Sequence, residues 1–195
     1  MKKILTRLPL ILILLQLLVI LVSWLIAAAQ PQLAIHSLLS SEGLRWLFAS
    51  LAGNIATSVL ACLLLAAMAY GAITRSGIAS ILHPVTYRQR FARKIVIVEA
   101  ALLIAFALLL TAVPHAVLLS VTGVLFPSSF SDSFFPILCI VLMVVSLTYG
   151  IVCGTIATIT MAFESLTEGI KDAASLILIY IFSAELYAML GYVFG

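Results

Sequence analysis

The sequence predicts an all-α integral membrane protein with about five transmembrane helices and an interfacial amphipathic helix before the second span. Three observations carry this reading. Of 195 residues, 65% are hydrophobic and only 9% are charged, whereas a soluble domain carries roughly 25% charged residues. The apolar residues gather into runs at 8–28, 51–73, 95–113, 134–156 and 173–194, each near the roughly 20 residues that a helix needs to cross a bilayer. The runs are continuous, without the period-two alternation of a membrane barrel. Together they make one transmembrane domain over 1–195.

The first run follows Lys2, Lys3 and Arg7 and ends in Ala27-Ala28-Ala29. That layout resembles a signal peptide, but the run is longer than the roughly 7–15 residues of a signal core, so it reads as a retained first helix. Between the first and second runs lies IHSLLSSEGLRWLF, Ile35–Phe48. Ser40 or Ser41 can cap a helix that starts near Glu42, where an acid also suits the helix dipole. Leu44, Leu47, Phe48 and Leu51 follow at helical spacing, and Trp46 and Phe48 suit the headgroup region as interfacial anchors. The expected form is an amphipathic helix on the membrane surface that bends into the second span, with His36 solvated in the preceding loop.

Arg75, Arg88, Arg90, Arg93 and Lys94 lie between the second and third runs. They read as a basic loop on the membrane surface, with the anionic headgroups of the lipid bilayer as partner and no role in nucleic-acid binding. Glu99, one turn further on, is expected to pair with Arg93 or Lys94. In the fourth run Ser146, Gly150, Gly154 and Thr158 recur every four residues. Such a ridge of small residues marks helix packing in lipid, either within the protomer or across a homo-oligomer. Thr158–Asp172 reads as an amphipathic surface helix leading into the last span, with Glu164 and Glu168 on one face.

The last run holds Glu185 near mid-bilayer, where an acid costs about 2.5–3.5 kcal/mol even on the lenient insertion scale. Glu185 is therefore a substrate- or proton-linked candidate. The structural alternative is a protonated side chain bonded to Ser183, Tyr180 or a neighbouring helix. Pro114 and Pro136 stand at span ends, so no broken helix is expected.

Alternate crossings starting inside place Lys2, Lys3, Arg7, Arg75, Arg88, Arg90, Arg93, Lys94 and Lys171 on one side and only Arg45 on the other. Nine against one is a strong positive-inside bias. It predicts a multi-pass protein with five crossings, N-terminus cytoplasmic and C-terminus outside. Cys62, Cys139 and Cys153 all fall inside the runs without paired spacing, as buried small hydrophobes do. There is no HExxH, GxSxG or phosphate-binding glycine loop and no metal-spaced histidine set, so no enzyme, cofactor or metal is expected.

IHSLLSSEGLRWLF, followed after the second run by AITRSGI, resembles the start of the AbgT family of p-aminobenzoyl-glutamate transporters, with Ser41 where the family has proline. SFFPILCIVLMVVSLTYGIVCGTI is similar to the family's proline-led helix, with Tyr149, Gly150, Gly154, Thr155 and Ile156 matching its closing motif. SLILIYIFSAELYAML resembles a later family helix, Glu185 replacing the usual glutamine. The "SDAGY" and "GFSANLL" stretches of the family's hairpin core, and its second half, have no counterpart here. The resemblance implies a shortened homologue with a role in transport of p-aminobenzoyl-glutamate-like or antimetabolite anions, within an oligomer. The alternative is a transport-incompetent homologue that serves as a membrane scaffold or accessory subunit.

Overall fold

The computed structural model describes residues 2–30, 32, 35–112 and 129–195, and the side-chain surroundings of 7–30, 32, 35–107 and 133–195. Every regular element among them is helical: α1 (Lys2–Ala29), α2 (Ser41–Ile55), α3 (Ser58–Ser76), a short 3₁₀ turn (Ile78–Ile81), α4 (Tyr87–Ala112), α5 (Ser129–Cys153) and α6 (Ile159–Phe194). Among the described residues four stretches are long and apolar enough to cross a membrane: Arg7–Ala29, Ser41–Ser76, Ser133–Cys153 and Ile159–Phe194. The protein is thus an all-α membrane protein. The far end of the expected third span, with Val113 and Pro114, lies outside the described residues.

The chain forms two compact units, the first comprising residues up to Ala61 with Ala173–Gly195, the second Cys62–Asp172. In the first unit the stretch Ile35–Phe48 is anchored by Leu38 and Gly43, its two buried residues. Leu38 is fully buried with Met189 and Val193, against Val19 and Ile20. Its N–H donates to Ser23 Oγ of α1 at 3.2 Å, and the His36 N–H reaches Val193 O at 3.2 Å. Gly43 permits this closure, because a β-carbon there would stand 2.6 Å from Leu38 Cα. Ser40 caps α2 as its sequence suggests, accepting the Gly43 N–H at 3.0 Å. Trp46 is used inside the unit, stacked on Tyr192 with ring centroids 4.3 Å apart. Phe48 is 79% exposed.

The second unit packs α5 against α3 through Ala69, Ala72, Cys139 and Met143, and against α4 through Ala92, Val96 and Tyr149. Its closest helix contact joins α3 to the first half of α6. A β-carbon at Gly71 would stand 2.7 Å from Gly169 N, and one at Gly169 would stand 2.8 Å from Gly71 N. Ala67 and Ser165, one turn before each glycine, are also buried. This is a small-xxx-small crossing of the kind that drives helix association in lipid.

Several expectations change. The second span is not one helix: α2 ends at Ile55 and α3 begins at Ser58. Pro136 lies inside α5 rather than at its end. The basic residues Arg88, Arg90, Arg93 and Lys94 are not in a loop but on the first turns of α4, and Arg75 closes α3. Gln89 explains the early start. Its Oε1 accepts the Val85 and Thr86 N–H groups at 2.9 and 3.0 Å, the reciprocal half of a capping box. The polar segment after Thr158 leads into the last span without a break. The two form one 36-residue helix, because no proline or left-handed residue interrupts it and Gly169 is held by its crossing partner.

The ridge Ser146, Gly150, Gly154, Thr158 is also corrected. α5 stops at Cys153, Gly154 turns the chain with φ +85°, and Thr158 opens α6, its hydroxyl accepting the Met161 N–H at 3.2 Å. Ser146 is buried, and a β-carbon at Gly150 would meet Ile156 Cδ1 at 2.6 Å and Ser76 Cβ at 3.1 Å. Ser146 and Gly150 are thus buried within the protomer, whereas Gly154 and Thr158 are exposed, so the four do not form one continuous packing ridge.

Candidate functional site

The interruption of the second span is the main polar feature of the first unit. Ala56 adopts φ −76°, ψ 64°, and the Thr57 N–H donates to Ile55 O at 2.8 Å. These are the marks of an inverse γ-turn. A continuous helix would send the Thr57 N–H to Gly53 O. The turn therefore takes the Gly53 and Asn54 carbonyls and the Ser58 and Val59 N–H groups out of the helical ladder. In hydrocarbon such groups are costly, and irregular backbone is tolerated where it lines a cavity or is buried in protein. Here it borders a groove of about 490 Å³ whose walls include Gly53, Asn54, Thr57, Tyr180 and Tyr187.

Side chains from α6 hold the break. The Thr57 and Tyr180 hydroxyls bond each other. Asn54 Nδ2 donates to Glu185 Oε2 at 3.3 Å. Glu185 is 7% exposed, and its Oε1 is buried with no hydrogen-bond partner. On α1, Gln16 Nε2 donates to Phe182 O at 2.8 Å, one helical turn below. Glu185 thus faces protein rather than lipid, and its partner comes from α2. Ser183 and Tyr180, its sequence neighbours, are engaged otherwise: Ser183 Oγ donates to Tyr180 O at 2.9 Å. No Lys or Arg pairs with Glu185 among the described residues. Its open Oε1 is free to accept from a donor or to meet a cation.

The other candidates lie in the second unit. Arg75 forms an ion pair with Glu168. Glu99 does not pair with Arg93 or Lys94; Thr148 Oγ1 donates to its Oε1 at 3.0 Å, and its Oε2 is buried without a partner. Asn54 and Thr57 complete this candidate site and were missed by sequence reasoning, which named Tyr180 only as a partner for Glu185. The available signal was Gly53-Asn54, two poor helix formers in succession inside an apolar run.

No family model matches the chain, and no curated protein does. Among solved structures, the crystal structure of the Alcanivorax borkumensis YdaH transporter matches with a TM-score of 0.76, covering 96% of this chain and 71% of that chain at 14% identity. This chain has that transporter's fold. The agreement runs over nearly the whole of this chain. At that identity the likeness is one of fold.

Proposed function

We propose that this chain is a transport protein of the AbgT type in the bacterial inner membrane, N-terminus cytoplasmic, with its working centre at the α2–α3 break. The carrying observation is an interrupted span facing a buried, half-satisfied carboxyl. Transporter sites are commonly built where discontinuous helices bring backbone N–H groups and carbonyls to an anionic solute and its coupling ion. Here the start of α3 supplies freed N–H groups, Thr57 and Tyr180 supply hydroxyls, and Glu185 supplies a protonatable oxygen. The fold of a transporter and the family-like motifs support the same reading. p-Aminobenzoyl-glutamate and antimetabolite anions are the proposed solutes, with Glu185 as the proton-linked residue.

The purified chain in proteoliposomes tests this. Uptake of p-aminobenzoyl-glutamate should follow an imposed proton gradient, and Glu185→Gln should fold yet lose that uptake. Undiminished uptake by a folded Glu185→Gln chain would overturn the role of Glu185. Absence of uptake by the wild-type chain would favour a scaffold or accessory subunit.

A further inference from the structure

Two arginines of the second unit stand in opposite states. Arg75, at the end of α3, is paired with Glu168. Arg88, in the first turn of α4, has no hydrogen-bond or ion-pair partner among the described residues. It borders a cavity of about 290 Å³ where α3, the 3₁₀ turn, α4 and α5 meet. Ser76, Ser80, Thr86, Gln89, Tyr149 and Thr155 also line it, and no Asp or Glu does. Arg88 is itself exposed, and the hydroxyl-walled cavity beside it brings no carboxylate as counter-charge.

The cavity is built rather than incidental. Tyr149 is 1% exposed, and its hydroxyl is 2.7 Å from Ser80 Oγ, which in turn lies 2.9 Å from Gly77 O. Thr155 Oγ1 donates to Ser76 O at 2.8 Å and fixes the opposite wall. Gly154 forms the floor under the guanidinium. A β-carbon there would stand 3.1 Å from Arg88 Nη1, and its φ of +85° already favours glycine. So the turn after α5 leaves room for Arg88 to lie over it. The unengaged donors are the Arg88 fork, Gln89 Nε2 and the Thr86 hydroxyl.

We infer that this cavity binds a phosphate group. A planar guanidinium fork with adjoining neutral donors suits a tetrahedral oxyanion with several acceptor oxygens. The rim points to the phosphate of an anionic phospholipid. Arg90, Arg93 and Lys94 follow on the same helix, and the exposed Leu82, Val85, Tyr87 and Phe91 surround them. Basic residues interleaved with apolar and aromatic ones match the composition of a headgroup layer. A soluble phosphate would use the same donors without the rim.

Native mass spectrometry and thermal unfolding of the full chain in detergent separate these cases. The probes are phosphatidylglycerol, phosphatidylcholine and inorganic phosphate; the variants are Arg88→Gln, Arg88→Lys and Arg90→Gln. Phosphatidylglycerol should bind and raise Tm where phosphatidylcholine does not. Arg88→Gln should weaken that binding about tenfold, as the loss of charge-assisted hydrogen bonds does. Arg88→Lys should fall between, and Arg90→Gln, whose charge lies outside the cavity lining, should stay within about twofold. An Arg88-dependent Tm rise with inorganic phosphate alone would uphold the phosphate site and assign its source as soluble. Equal losses in Arg88→Gln and Arg90→Gln, or no Arg88 dependence with either phosphate, would overturn the inference. If Arg88→Gln fails to fold, Arg88→Lys against Arg90→Gln makes the same comparison.

Discussion

The two units accommodate polar groups in a membrane protein differently. In the second, α3 and α6 approach until glycine meets glycine, and its ion pair joins Arg75 at the end of α3 to Glu168. In the first, a span is interrupted, backbone groups leave the helical ladder, and a carboxyl is buried with one oxygen unpartnered. The second unit is organised for close packing. Each unit buries a carboxyl oxygen without a partner, on Glu185 in the first and Glu99 in the second, but the first sets its carboxyl beside an interrupted span. An acid deep in a span is by default a functional hypothesis, and a break in the helix beside it places both departures at one point.

That contrast can be tested most sharply at the glycine crossing. Gly71→Leu drives a side chain into the backbone of α6, where neither helix can yield without separating. A loss of about 3 kcal/mol or more is expected, at the upper end of overpacking costs, read as a collapsed thermal transition or aggregation in detergent. Unchanged Tm would mean that the crossing is not what holds the second unit. Next in size is Glu185→Leu, which leaves the Asn54 amide without its acceptor. Its expected cost is about 1–3 kcal/mol, the penalty of an unsatisfied buried polar group, while Glu185→Gln should unfold close to wild type. If both variants unfold alike, the carboxyl is not bonded as described. Smallest is Arg75→Gln. The two side chains are 59% and 38% exposed, so the pair is worth about 0–1 kcal/mol. A Tm shift as large as that of Glu185→Leu would erase the distinction between surface and buried polar groups.

Legibility followed the range of the interaction. The Ser40 cap is local, and its residues stand three apart in the chain. The capping box of Gln89 was equally local, in Thr86-Tyr87-Arg88-Gln89. It was overlooked because the charges of that segment suggested a loop. The Gly150–Gly154 spacing read as a packing ridge, but Gly154 serves a left-handed turn. The spacing motif that packs is Ala67-xxx-Gly71 against Ser165-xxx-Gly169, two weaker signals that gain meaning only as a pair.

By itself the sequence determined that this protein lives in a bilayer, since composition and unbroken apolar runs are properties of the chain alone. It also determined that Glu185 is costly where it stands, because depth follows from position within a run. Only the tertiary structure decided that the second span breaks at Ala56–Thr57. No proline marks the place; the break is held by Tyr180 and Glu185, more than a hundred residues away in the chain. The same holds for the unpaired Arg88 and for the glycine crossing. Helical periodicity and hydropathy are written along the chain, whereas a hydrogen-bond partner or a close backbone approach exists only once distant segments have met.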